Sequence, residues 1–190
     1  MKPSVKATKS ITEDERAKDE KKGYHYIIHT EPRTLRAERL RKPDYKDFLP
    51  IPITPKFYKE LKKAPKKISN FIDPTFPEPL NAYIFGKKYP PLHYKFFTGH
   101  GNDVSQTGLI DTTIWRQNPT DFDDSKEASN WWTKTFKPYK WQWDNREALK
   151  KVQAKHPSIL FLGDTLGDGG ANLFVHRNSK DEIDSIAIAF

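Results

Sequence analysis

The chain has 190 residues, 31% of them charged and 35% hydrophobic, with a formal net charge of +8. That length suits one domain with an appendage, and an apolar fraction below the roughly 45–50% usual for globular chains predicts that part of it does not pack on itself. The absence of cysteine excludes a disulfide framework, a thiolate metal site and a cysteine nucleophile, and no apolar run approaches the roughly 20 residues of a membrane-spanning helix.

From the amino terminus, Thr12-Glu-Asp-Glu15 has the capping-box pattern and predicts a charged helix or tail over 1–22, too polar to bury a face. Its acidic residues argue against a cleaved mitochondrial leader. Tyr24 to Thr30 reads as a strand. The next stretch carries the charge: from Arg33 to Lys67 there are 12 Lys or Arg and 4 Asp or Glu, so the net charge of the whole chain resides there. Of the 15 prolines, 11 lie between Pro32 and Pro91, which breaks long helices and disfavours central strands. The exception is a short helix from Pro55 to Ala64, capped by Thr54 and stopped by Pro65, with Phe57, Tyr58 and Leu61 on its apolar side and Lys56, Lys59, Lys62 and Lys63 largely on the other.

Residues 23–80 are therefore expected to form an extended, basic, proline-rich arm. Phe48 to Ile53 and Phe71 to Leu80 interleave apolar residues with proline, which suits lying along a surface more than pairing in a sheet. The expected partner-binding residues are Arg33, Arg36, Arg39, Arg41 and Lys42 at the rim, with Phe48, Ile51, Phe57, Tyr58 and Phe71 as anchors. The partner would be other protein subunits of a large complex; RNA and a peripheral membrane surface are further candidates for the positive charge.

Residues 81–190 are expected to form the folded domain. Asn81 to Phe85 and Leu92 to Phe97 read as strands, Thr98 to Gly108 as a loop, and Thr112 to Arg116 as another strand. All five tryptophans lie between Trp115 and Trp143. Ser125 can cap a helix carrying Ala128, Trp131, Trp132 and Phe136, and a second helix runs from Asp144 until Pro157 ends it. Trp141 and Trp143 alternate along the connection, and either cluster could stack bases or sugars instead of filling a core.

Histidines offer little chemistry. His25 and His29 share one face of a strand without a carboxylate cluster near them in sequence, and His100, between two glycines and close to Asp103, is the most site-like. The remaining candidate is Ile159-Leu-Phe-Leu-Gly-Asp-Thr-Leu-Gly-Asp-Gly-Gly170, a strand followed by an acidic glycine turn. It resembles the first block of the GDSL-type hydrolases, but Thr165 stands at the serine and the last 14 residues contain no histidine. A hydrolase using Asp164 and Asp168 is thus an alternative, and the preferred reading is a turn between strands. With Asn178-Ser-Lys-Asp181 as a second turn and Ile183 to Phe190 as a last strand, the tail forms an antiparallel meander. Gly169-Gly-Ala-Asn-Leu-Phe174 and the strands around it are similar to the end of the SUKH (SMI1/KNR4-like) domains, a resemblance that implies a binding module of the immunity-protein kind.

Together these features predict an α+β fold, a small antiparallel sheet with two packed helices carrying a long basic arm. They predict a non-enzymatic accessory subunit, without cofactor or metal, docked on an intracellular assembly such as an organellar enzyme complex or a ribosome, with a mitochondrial setting included.

Overall fold

In a computed structural model, residues 13–30, 50–72, 78–102, 106–111, 151, 154–155, 159–164 and 169–190 are described. Helix α1, Glu13–Lys21, forms where the capping box places it. Gly23 ends it in the left-handed region, at φ 84°, and its amide closes on the Glu20 carbonyl. Having no apolar face, α1 is tied down by polar contact instead, through the Tyr26 hydroxyl donating to Asp19 at 2.6 Å.

Nine strands follow among the described residues: β1 His25–Thr30, β2 Ile51–Ile53, β3 Lys66–Phe71, β4 Leu80–Gly86, β5 Lys95–Asn102, β6 Gln106–Asp111, β7 Ile159–Asp164, β8 Gly169–Arg177 and β9 Ile183–Ala189. They make two sheets, one of four strands in the order β2-β1-β6-β7 and one of five in the order β3-β4-β9-β8-β5. Every pairing is antiparallel. The second helix, α2, Pro55–Leu61, is the short amphipathic helix of the proline-rich stretch, with the Thr54 Oγ1 accepting from the Phe57 amide. A 3₁₀ turn spans Pro91–His93.

The main core lies between the sheets. Ile27, Leu109 and Leu160 of the four-stranded sheet meet Phe85, Leu173, Ile186 and Ile188 of the five-stranded one, and Phe57 and Leu61 join them from α2. The outer face of the larger sheet has a second cluster. There Ala82, Ala187 and Ala189 leave room for Phe71, Tyr94 and Phe174, whose rings meet at tilted and edge-on angles. The Ser185 hydroxyl donates to the Phe85 carbonyl and accepts from Tyr94, so the polar groups of this cluster are satisfied. Buried on both faces, β9 reads as a nearly continuous apolar run from Ser185 to Ala189.

Several expectations change at this level. Residues 24–30 and 50–72 are not an extended arm beside a domain beginning at 81: β1 and β2 build the smaller sheet, and β3 pairs with β4 in the larger. The reason is that proline forbids only central ladder positions. Pro52 sits on β2, the outermost strand of its sheet, opposite Tyr26. Among the described residues, the core between the two sheets thus draws on both halves of the chain.

The glycine-rich stretches also acquire a role. β5 pairs with β8 down to Asn102 opposite Gly169, and β6 pairs with β7 from Gln106 opposite Asp164. One antiparallel ribbon therefore leaves the larger sheet and resumes in the smaller, switching sheets at the glycine-acidic segment. Thr98 to Gly108 is mostly strand, and the tail is a hairpin, β8–β9, plus a strand of the other sheet, not one meander. The expected strand at Thr112–Arg116, both tryptophan-bearing segments and most of the expected second helix lie outside the described residues, where only 151 and 154–155 are described, as helix.

Candidate functional site

Helix α2 bridges the two sheets at one end of the sandwich. Its inner face is fully committed: Ile51 and Ile53 lead into it at 0% exposure, and Phe57, Tyr58 and Leu61 are buried at 4%, 7% and 0%. Of the expected anchors, Ile51, Phe57, Tyr58 and, at 1% exposure, Phe71 are thus core residues of this chain. They cannot serve as anchors on a partner while the fold is intact. Arg33, Arg36, Arg39, Arg41, Lys42 and Phe48 lie outside the described residues.

What α2 leaves outside is basic. Lys56, Lys59, Lys62 and Lys63 are exposed on the helix and its exit, and Lys66 and Lys67 continue onto β3. β3 is an edge strand of the larger sheet. Its register puts Lys66 opposite Ile84, so the exit of β4, carrying exposed Lys87 and Lys88, lies at the same end of the sheet. Eight lysines from three segments therefore share one end of the molecule. Three carboxylates lie beside them: Glu60, taken by Lys63 at 2.7 Å, and Glu182 and Asp184, which line a cleft with Lys56 and Lys87; Lys62 lies 4.6 Å over the Tyr58 ring and Lys67 5.9 Å over that of Tyr83. No carboxylate pairs with Lys56, Lys59, Lys62, Lys66 or Lys67 among the described residues.

Between α2, the exit of β4 and the β8–β9 turn runs a polar cleft of about 660 Å³. Tyr89 and Asp184 of its lining join His176 in a three-residue cluster that no sequence motif announced. The Tyr89 hydroxyl donates to Asp184 Oδ2 at 2.8 Å and His176 Nδ1 to Oδ1 at 2.7 Å, while the Tyr89 and His176 rings stack at 3.5 Å. The bond to Asp184 raises the Tyr89 pKa above the ordinary tyrosine value. The signal lay in the hairpin: once Asn178–Asp181 is a turn, pairing carries His176 opposite Ser185, beside Asp184.

The same construction recurs across the sandwich. Tyr58 donates to Asp111 Oδ2 at 2.7 Å, His25 Nδ1 to the same oxygen at 3.0 Å, and the two rings stack at 3.5 Å. Burial, then the charge and hydrogen bond of Asp111, push the Tyr58 pKa far above the tyrosine range. Each cluster cross-links three segments, which suits a structural tether.

Other expected candidates fall elsewhere. His29, four residues from His25, is buried, and its Nε2 lies 2.7 Å from the Thr107 hydroxyl. His100 lies in β5 opposite Ala171, and Asp164 ends β7 opposite Gln106; Asp103, Thr165 and Asp168 are outside the described residues. Among the described residues no group of three or more His, Asp or Glu side chains could hold a metal ion, and no helix is long and apolar enough to cross a membrane.

The chain is similar to the uncharacterized protein R816 of Acanthamoeba polyphaga mimivirus, with 29% identity over 170 residues, covering 86% of this chain and 76% of the viral protein. No family model matches it. No solved structure matches it either.

Proposed function

We propose that this protein is a non-catalytic accessory subunit that docks on a larger assembly through the lysine-rich end formed by α2, the start of β3 and the exit of β4. The observation that carries this reading is the set of exposed lysines at that end, Lys56, Lys59, Lys62, Lys66 and Lys67, that have no carboxylate partner among the described residues. Charges left unpaired on adjoining elements add mutual repulsion, which an anionic partner relieves, and they steer its approach. The buried aromatics take no part in docking; they hold α2 so that its basic face is fixed.

The test is native purification of the full chain beside a Lys59→Glu/Lys66→Glu variant, with the urea midpoint of both recorded. Both side chains are exposed, so the variant should keep its stability to within about 0.5 kcal/mol. The proposal expects the co-eluting assembly to be lost from the variant and released from the parent chain by salt. Retention of the same components at unchanged salt sensitivity would overturn it. A binding module of the SUKH kind is the second reading, supported by the β8–β9 segment that resembles the end of those domains. It expects a monomer with one protein ligand, held equally by the parent chain and the lysine variant.

A further inference from the structure

We propose that the anionic partner of the lysine-rich end is duplex nucleic acid, held by its phosphate backbone without reading of bases; this rests on the docking reading above and names its ligand. Three properties of the surface favour a phosphate polymer over an acidic protein. First, its cations among the described residues are lysines, compact point charges with no planar fork, whereas base-edge recognition in the major groove relies most on bidentate arginine.

Second, the lysines recur along adjoining segments. Lys56, Lys59 and Lys62 follow at three-residue steps along α2 to its C-cap, a rise of about 4.5 Å at each step. Lys66 then begins β3, and Lys87 lies three residues beyond its ladder partner Ile84, just past the end of β4. A duplex carries a negative charge for about every 1.7 Å of its axis. That charge is uniform along the axis whatever the sequence, so flexible lysine side chains meet phosphates without a fixed base register. An acidic protein would have to place its carboxylates to match.

Third, the surface has no stacking platform among the described residues. Phe57 and Tyr58 are buried beneath it, Tyr83, under Lys67, is itself only partly exposed, and Tyr89 is stacked on His176 at 3.5 Å with Lys87 5.1 Å from its centroid. Single-strand binding draws on aromatic faces open to bases, and a surface of ammonium groups alone gives a single strand no advantage over a duplex.

The magnitude follows from counterion release. If six lysines each neutralise a phosphate, log K falls against log salt with a slope of about −5, roughly a thousandfold loss of affinity between 50 and 200 mM. Removing three of them should bring the slope to about −3.

The experiment is fluorescence anisotropy of the full chain with a labelled mixed-sequence duplex of about two helical turns, over a salt series, with a second sequence, a single strand and poly-glutamate as competitors. The comparison is Lys56→Gln/Lys59→Gln/Lys66→Gln, whose urea midpoint is checked against the parent. Support is a steep slope, equal competition by both duplexes, no preference for the single strand, and a shallower slope in the variant. Three outcomes overturn the inference: no duplex binding; preference for one sequence or for the single strand; or an unchanged slope in the variant. If the duplex fails but poly-glutamate binds in a lysine-dependent manner, or the assembly survives nuclease and is still lost in the charge variant, docking stands and its partner is an acidic protein. If neither ligand depends on the lysines, docking fails as well.

Discussion

Replacing Gly86 by alanine tests how α2 is seated against the larger sheet. Gly86 ends β4 with φ at 81°, a conformation that costs an L-residue about 1–2 kcal/mol. A Cβ there would come within 2.6 Å of both the Asp184 carbonyl oxygen and Cε2 of Phe57. Neither neighbour can yield easily, since Asp184 is in β9, paired with β4, and Phe57 is in the core. Overpacking of that kind adds about 1–3 kcal/mol, so the total is about 2–5 kcal/mol. In urea, with a slope of about 1–3 kcal/mol per M, the midpoint should fall by about 1–2 M. Gly169→Ala is the control, because a Cβ on that residue meets nothing within 4 Å and its φ is ordinary. Should the two alanine variants unfold within about 0.5 kcal/mol of each other, the close seating of α2 on β4 and β9 is wrong.

Phe71→Ala should behave as a core deletion, costing about 3–5 kcal/mol by urea melt; a stable Phe71→Ala protein that loses only its partner would return Phe71 to the surface. For Tyr58, whose pKa is raised in the folded state from the ordinary tyrosine value of 10.0 by burial and by Asp111, folding keeps the phenol protonated while the unfolded chain ionises. Its contribution is therefore intact below about pH 10 and lost as the pH rises beyond it. The stability of the parent chain should fall faster above pH 10 than that of Tyr58→Phe, and parallel pH profiles would contradict the buried bond to Asp111. Asp184→Ala removes an acceptor from both Tyr89 and His176, a loss of about 2–3 kcal/mol for two charge-assisted bonds at a partly exposed site. A double-mutant cycle of Tyr89→Phe and His176→Ala should then show coupling of about 0.5–1.5 kcal/mol, and strict additivity would remove the case for a joint tether.

Local signals located α1, α2, β1, β4, β9 and the Asn178–Asp181 turn, because each depends on contacts a few residues apart. Helix α1 begins at Glu13, within the capping-box pattern, Thr54 and Pro55 set the start of α2, and the Asn178 side chain accepts from the amides of Lys180 and Glu182 within its own turn. Nothing local reveals which sheet a strand joins. β7 and β8 are neighbours in sequence and lie in different sheets, since each is paired to the other half of the β5–β6 ribbon. The two Tyr–Asp–His clusters were hidden for the same reason, their members lying 86 residues apart for His25 and Asp111 and 95 for Tyr89 and Asp184.

By itself, the sequence determined that α2 has one greasy and one basic side and that the positive charge is regional, since both follow from residue spacing along a single segment. Tertiary structure alone decided which side meets water. The aromatic residues that looked free to grip a partner close the protein's own cores, because β1, β2 and α2 cover the inner face of the larger sheet while Phe71 of β3 packs in the cluster on its outer face. The lysines are what remains outside, and any docking of this face must go through them.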